Sequence, residues 1–282
     1  IPEIAEHFAD AVEKGFRESP QVDLESLSDY EQMKSKLSME VVSAEKNAEL
    51  LESVPHERME DMAVVYRFVL DQTDSGNGTI LVTNQLLDQY GISKEQLRAD
   101  AMENAPEIRP SEIRGMSEVM SELAPGMIPE VAPEDEQMFV ATVPDKIHGA
   151  GVIAYPNFME DAAEKMGGDF FGLPSSIHEV LLVKDNGQMT AKELENMVKE
   201  VNATQVEPAD QLTDHVYHYD SQNHIFELAD KYEERQREAE HEAVDKDSVL
   251  GDLKEKKQEI AKKDPAKDAA TKAATKKHET SL

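Results

Sequence analysis

Apolar residues recur every three to four positions in several stretches of the chain, which is the spacing that places them on one side of an α-helix. The first of these stretches runs from Ile4 to Phe16. Ser93, followed three positions later by Gln96, is typical of a capping box at the start of a helix. The spacing predicts helices over residues 4–16, 28–51, 84–90, 93–104, 116–123, 157–166 and 190–202.

Shorter stretches rich in β-branched and aromatic residues predict strands. Many of them come in pairs separated by turn-forming residues, such as the Asp, Ser, Asn and Gly of residues 71–78. These strands cover residues 62–70, 79–83, 138–143, 149–155, 169–173, 179–184, 215–219 and 224–226. Because hairpins dominate, the pattern predicts an α+β fold with a mainly antiparallel sheet and interspersed helices.

Charge is distributed unevenly along the chain. The sequence has 59 acidic and 29 basic residues, a formal net charge of -30. Residues 1–230 hold 46 of the acidic and 16 of the basic residues, whereas residues 231–282 are neutral overall and end in a Lys-rich stretch. We predict an acidic α+β body over residues 1–230 and a tail over residues 231–282, helical and then disordered. The charge argues against nucleic-acid binding by the body and leaves the tail open.

Composition excludes several kinds of chemistry. The chain has no Cys, which excludes disulfides, thiolate zinc sites, iron–sulfur clusters and cysteine nucleophiles. No apolar run reaches the roughly 20 residues of a membrane span, and no signal-peptide pattern stands near the start. We therefore expect a cytoplasmic protein with no membrane partner. Ile1 is not a methionine, and we expect the native N-terminus to lie further upstream.

One segment carries residue types used in nucleophilic catalysis. Ser176, His178 and Glu179 lie within four positions, and a hydrolase needs a serine hydroxyl bonded to a histidine that a carboxylate orients. On a strand, Ser176 and His178 would share a face and Glu179 would point away. No Gly-x-Ser-x-Gly elbow accompanies them. We therefore favour a turn with capping hydroxyls, assign no catalytic residue, and name these three as the set that an enzyme would use.

Two other segments invite a metal-binding hypothesis. His215, His218 and His224 lie in one predicted hairpin, but positions 215 and 218 fall on opposite faces of a strand, and two imidazoles alone make an incomplete site. Residues 71–78 lack the alternating Asp spacing and closing Glu of a calcium loop. We expect no metal and no cofactor. The 13 methionines are scattered, which favours core filling over a binding surface.

Several spaced segments together resemble one family. They are Lys46-Asn47, Pro55-His56, Tyr155-Pro156 and residues 173–183, 201–206, 212–214 and 216–220. They are similar to the domain of unknown function 5688 family, uncharacterised proteins of Firmicutes, over roughly residues 1–225. The resemblance implies a bacterial cytoplasmic protein often associated with mobile genetic elements, and it carries no assigned activity and no catalytic residues.

Three hypotheses about function remain open. The first is a non-enzymatic accessory or interaction protein of a mobile genetic element, with a protein partner bound in part through residues 231–282. The second is an acidic mimic of nucleic acid that inhibits a DNA-binding enzyme, which requires acidic residues in a stripe spaced like phosphates. The third is a hydrolase that uses Ser176 and His178. The incomplete catalytic set and the division into body and tail favour the first.

Overall fold

The structure, a computed structural model, describes residues 26–73, 76–127 and 131–241, together with residues 254 and 256. The chain divides into two units, Ile1–Ala229 and Asp230–Leu282. The helix predicted over residues 4–16 and the disorder predicted late in the tail both lie outside the described residues. Among those residues, no helix is long and apolar enough to cross a membrane.

The first sheet is organised around one long strand. Strand β3 (Met62–Thr73) pairs with β1 (Leu37–Ser43) along one edge, and β2 (His56–Met59) and β4 (Gly76–Leu81) follow each other along its other edge. The predicted hairpin of residues 62–70 and 79–83 is thus confirmed, with strands that extend into the predicted turn.

The prediction of one helix over residues 28–51 is wrong for the middle of this range, which forms a strand. A short helix α1 (Tyr30–Met33) precedes β1, and helix α2 (Ala48–Ser53) follows it. Leu37, Met39 and Val41 alternate with polar residues and are buried in the main core, which is the period-two pattern of a strand. Several apolar residues of this stretch also fit helical spacing, so local periodicity alone did not separate the two structures. Hydrogen bonding to β3 stabilises the strand, which a helix at these residues could not provide.

The second sheet has six strands in the order β10–β9–β7–β8–β6–β5. Their bounds are β5 Glu112–Gly115, β6 Met138–Thr142, β7 Phe170–Leu173, β8 Val180–Lys184, β9 Tyr217–Asp220 and β10 Ile225–Leu228. All strand pairings among the described residues, in both sheets, are antiparallel. The chain therefore has the predicted α+β fold with antiparallel sheets.

The strand predicted over residues 149–155 is wrong, because Gly149–Ala154 forms a 3₁₀ helix. Both edges of β6 are occupied by β5 and β8, so no edge is left for a hairpin partner. The two glycines permit close packing. A Cβ at Gly149 would overlap the Thr142 hydroxyl, and one at Gly151 would overlap the backbone of β1 at Met39.

The remaining helices of the first unit are α3 Asn84–Tyr90, α4 Lys94–Ile108, α5 Met116–Leu123, α6 Phe158–Met166 and α7 Ala191–Thr204. A further helix, α8, covers residues 229–241. Helices α3, α4 and α6 contribute to the main core, while α7 packs in a separate cluster with Phe171 and Val183. The capping box predicted at α4 is half formed: the Ser93 hydroxyl accepts from Gln96 N, but the Gln96 side chain donates to Asp100.

Candidate functional site

The Ser176 hydroxyl is engaged with backbone rather than with an imidazole. Ser176 is buried, and its Oγ accepts from the backbone N–H of His178 at 3.0 Å. The His178 Nδ1 accepts from the backbone N–H of His148 at 3.2 Å, and its Nε2 lies 3.5 Å from Asp210 Oδ2. In the part of the chain that the structure describes, no hydrogen bond joins the hydroxyl to the ring. The arrangement is that of a turn with a capping hydroxyl, as the sequence favoured.

Glu179 directly follows His178 but forms no hydrogen bond with His178 or Ser176 among the described residues. It lines a groove on the outer face of the second sheet, together with Leu181 and Thr142. Burial raises the pKa of Glu179, while the charge of the neighbouring His178 opposes that rise. Among the described residues, the structure therefore does not join Ser176, His178 and Glu179 in one hydrogen-bonded relay.

A buried carboxylate lies next to this segment, and the sequence analysis did not identify it. Glu40 on β1 accepts from His148 Nδ1 at 2.9 Å and from Arg67 Nε at 2.7 Å. Burial disfavours the charged form of Glu40, but the hydrogen bonds and charges of His148 and Arg67 outweigh it and lower its pKa. The His148 ring packs 5.7 Å from the His178 ring. Long-range contacts of this kind, between β1 and the loop after β6, leave no local sequence signal.

The three histidines of the last hairpin each face a different carboxylate. His215 Nδ1 lies 2.8 Å from Asp61 Oδ2, the buried His218 Nε2 lies 2.9 Å from Asp185 Oδ2, and His224 Nδ1 lies 3.3 Å from Glu160 Oε1. Within the described ranges, no three His, Asp or Glu side chains come together as a metal-binding group. The side chains of residues 71–77, in which the calcium-loop spacing was absent, lie outside the described residues.

Asp61 collects three hydrogen bonds from the segment that leads into β9. Its carboxylate accepts from the Thr213 hydroxyl, from the buried Tyr217 hydroxyl and from His215 Nδ1. Burial alone would raise the pKa of Asp61, but these hydrogen bonds and the His215 charge lower it. An ionised carboxylate can only accept, so His215 carries its proton on Nδ1 here. The contacts join the β2–β3 turn of the first sheet to the second sheet.

The groove that contains Glu179 is largely apolar and lies under α5. It has a volume of about 270 Å³ and is lined by Met116, Val119, Met120, Leu123, Val140 and Leu181, together with Glu112, Arg114, Thr142, Lys146 and Glu179. No residue of α5 is buried. Leu123 is 75% exposed, and Met127, just beyond the helix, is 83% exposed. The sequence predicted helix α5, but whether its apolar face would be covered depends on the tertiary structure.

Polar contacts at its two ends hold α5 in place. Arg114 on β5 bonds to Glu118 at 2.8 Å and to Glu122 at 3.0 Å. At the start of the helix, the nearly buried Glu136 accepts from Ser117 N at 3.1 Å and from the Ser117 hydroxyl. The helix is thus positioned by polar contacts while none of its residues is fully buried. Met116 and Met120 lie here, whereas Met33, Met39 and Met62 fill the core.

Comparison with known proteins identifies a family. A family model described as a family of unknown function, DUF5688, matches residues 1–221. No curated protein matches the chain, and no solved structure matches it. The match covers both sheets up to and including β9, and it agrees with the resemblance of the spaced segments. The chain belongs to the family of unknown function DUF5688.

Proposed function

We propose that this chain is a non-enzymatic interaction protein whose α5 groove receives a basic, amphipathic segment of a partner protein. The observation that carries the proposal is the amphipathic helix α5, which is fixed by Arg114 and Glu136 while none of its own residues is buried. An exposed apolar surface of this kind marks an interaction site in soluble proteins.

The size and lining of the groove favour a peptide over a free small molecule. A volume of about 270 Å³ corresponds to the small end of the range of about 300–1,000 Å³ common for small-molecule pockets. It suits two or three apolar side chains of a helix laid into a groove, the mode in which anchors recur at positions i, i+3 or i+4 and i+7. Met116 and Met120 are flexible and can adjust to such anchors.

The charges around the groove indicate the charge that a partner should carry. Glu118 and Glu122 outnumber Arg114 in their ion-pair network. Inside the groove, Glu112 and Glu179 are matched in number by Arg114 and Lys146. The partly buried Glu179, whose pKa is raised by desolvation, is stabilised in its charged form by a cationic side chain beside it. With 46 acidic against 16 basic residues in positions 1–230, long-range attraction also favours a basic partner.

A titration with a designed peptide tests this function. The probe is a labelled helical peptide with Leu on one face and Lys on the other, and the readout is fluorescence anisotropy. Leu123→Lys removes an apolar anchor and adds a positive charge that repels a basic peptide, and we expect it to weaken binding at least about tenfold. The matched control is Met197→Lys, which makes a similar change at an exposed methionine of α7 and should leave binding unchanged. Equal effects of the two variants would contradict the proposal.

The proposal includes the setting and the tail that the sequence analysis predicted. We infer a cytoplasmic accessory protein of a mobile genetic element, and that setting is supported by the resemblance of the spaced segments. Residues 231–282 are expected to contribute to recruitment of the partner. Affinity capture from the native host with the full chain and with a chain ending at residue 230 tests the tail. If the full chain and the chain ending at residue 230 recover the same partners in equal amounts, the tail plays no part in recruitment.

One alternative is favoured by the charge of the body. An acidic mimic of nucleic acid would compete with duplex DNA for a DNA-binding enzyme, and its affinity would fall steeply with salt. One experiment distinguishes peptide binding in the α5 groove from mimicry of nucleic acid. If the acidic surface as a whole competes with DNA, Leu123→Lys should not affect that competition.

A further inference from the structure

Two histidines meet where the loop after β6 contacts the segment before β8. The backbone N–H of His148 donates to His178 Nδ1 at 3.2 Å, and the two rings lie 5.7 Å apart. Their side chains are 32% and 33% exposed, so protons from solvent reach this pair. The contact joins the loop of residues 144–148 to the segment of residues 174–179.

The direction of this hydrogen bond determines the charge of His178. A backbone N–H can only donate, so the Nδ1 atom that accepts from it carries no proton. The proton of the neutral ring is then on Nε2, which lies 3.5 Å from Asp210 Oδ2. A second proton would go to Nδ1 and would place two donors against each other. The bond therefore exists only while His178 is neutral, and imidazoles change their charge between pH 5 and 8.

Charged groups from several elements surround the two rings. Glu40 of β1 lies 2.9 Å from His148 Nδ1 and also pairs with Arg67 of β3 at 2.7 Å. The carboxylates near His178 are those of Asp210, from the segment before β9, and of Glu179, the next residue. A proton on each ring would bring two positive charges 5.7 Å apart, which adds a repulsion between the rings to the lost hydrogen bond.

The backbone of the loop adopts a strained conformation that this bond helps to hold. Lys146 and His148 have φ values of 57° and 52°, in the left-handed region that residues with a Cβ rarely adopt and that persists only where surrounding contacts stabilise it. The ion pair of Arg109 with Asp145, at 2.7 Å, holds the start of the loop. Because arginine and aspartate ordinarily keep their charges between pH 5 and 8, the backbone contact that responds to pH is the bond to His178.

We propose that His178 is a pH-sensitive latch for the loop of residues 144–148. While its ring is neutral, it accepts the His148 N–H and keeps the strained backbone in place. When the ring gains a proton, the bond breaks and the loop relaxes around positions 146–148. Lys146 and Glu179, on the two joined segments, both line the α5 groove, so release of the latch changes that lining. The latch is a property of the chain itself and does not depend on what the groove binds.

A pH titration of the isotope-labelled full chain by NMR tests the latch. Between pH 7.5 and 5.5, the protection of the His148 amide against hydrogen exchange, corrected for the intrinsic rate, should fall about tenfold. His148→Asn removes the second titrating ring but keeps the backbone N–H, and asparagine tolerates the left-handed conformation. In that variant the amide at position 148 should still shift with pH, with the same midpoint as the His178 ring.

Two substitutions of His178 distinguish the latch from a general effect of acid. His178→Asn keeps an acceptor oxygen near the position of Nδ1 that does not titrate, so the amide should stay protected at both pH values. His178→Ala lacks the acceptor, so protection should be low at both. The matched control is His224→Asn, at another histidine with a left-handed φ of 55°, which should leave the response unchanged. Equal protection of the wild type at pH 7.5 and 5.5, or a loss of protection on acidification in His178→Asn as large as in the wild type, would overturn the proposal.

Discussion

Replacement of Asp61 by asparagine tests whether one carboxylate joins the two sheets. The wild-type carboxylate accepts hydrogen bonds from Thr213, His215 and the buried Tyr217. The side-chain amide of the Asp61→Asn variant would keep one acceptor oxygen but present an NH₂ group to donors. A hydrogen bond to a charged group contributes about 1.5–3 kcal/mol and a neutral one about 0.5–1.5 kcal/mol, so the three bonds together would lose about 3 kcal/mol.

Exposure of Asp61 to solvent reduces the expected loss of stability. The Asp61 side chain is 31% exposed, so we expect a loss of about 2 kcal/mol in the free energy of unfolding. For a body of this size the melting temperature should fall by about 4–8 °C. Chemical denaturation followed by far-UV circular dichroism measures the first quantity, and a thermal scan measures the second. The control is Asp88→Asn, the same substitution at an exposed position of α3, which should change stability by less than about 0.5 kcal/mol.

The pH dependence gives a second, independent readout. The pKa of Asp61 is lowered in the folded state from its ordinary value of 3.8. Its stabilisation is therefore complete above that ordinary value and is lost as the pH falls through the folded-state pKa. The difference in stability between the wild type and Asp61→Asn should be constant from neutral pH down to about pH 5 and should narrow below about pH 4. A difference that is the same at all these pH values, or no larger than that of Asp88→Asn, would refute this account.

Three further predictions address the packing and the groove. Gly151→Ala places a Cβ against the backbone of Met39 and Glu40, which cannot move aside without disturbing β1, so denaturation should reveal a loss of about 1–3 kcal/mol. Leu194→Ala truncates a fully buried side chain of α7 and should cost about 2–5 kcal/mol; a cost as small as that of an exposed substitution would mean that α7 does not pack as described. Glu136→Leu removes the acceptor of Ser117, and hydrogen exchange should speed up in α5 while α7 keeps its protection.

Short-range patterns in the sequence were sufficient to predict those helices and strands whose main contacts are with residues nearby in the chain. The hairpin of β3 and β4 follows from β-branched residues on both sides of a Gly- and Asn-containing turn, and α7 follows from the spacing of its apolar residues. The structure adds a complete capping box at the start of α7, formed by Thr190 and Glu193. Elements whose neighbours are distant in sequence were less well predicted. The apolar residues of 37–43 fit two periods, and only pairing with β3 selects the strand. Likewise the two occupied edges of β6 exclude residues 149–155 from the sheet.

The candidate sites also combine features that the sequence determines with features that depend on the tertiary structure. The sequence by itself determined the α+β class, the exclusion of thiol chemistry and the location of the excess negative charge in residues 1–230, because composition and short-range periodicity are properties of the chain alone. Only the tertiary structure decided that Ser176 bonds to backbone, that Asp61 and Glu40 are held by residues more than 25 positions away, and that the His178 ring accepts a hydrogen bond from the backbone of His148. Hydrogen bonds and burial depend on which segments meet in space, and the Asp61–His215 pair is separated by 154 positions in the chain.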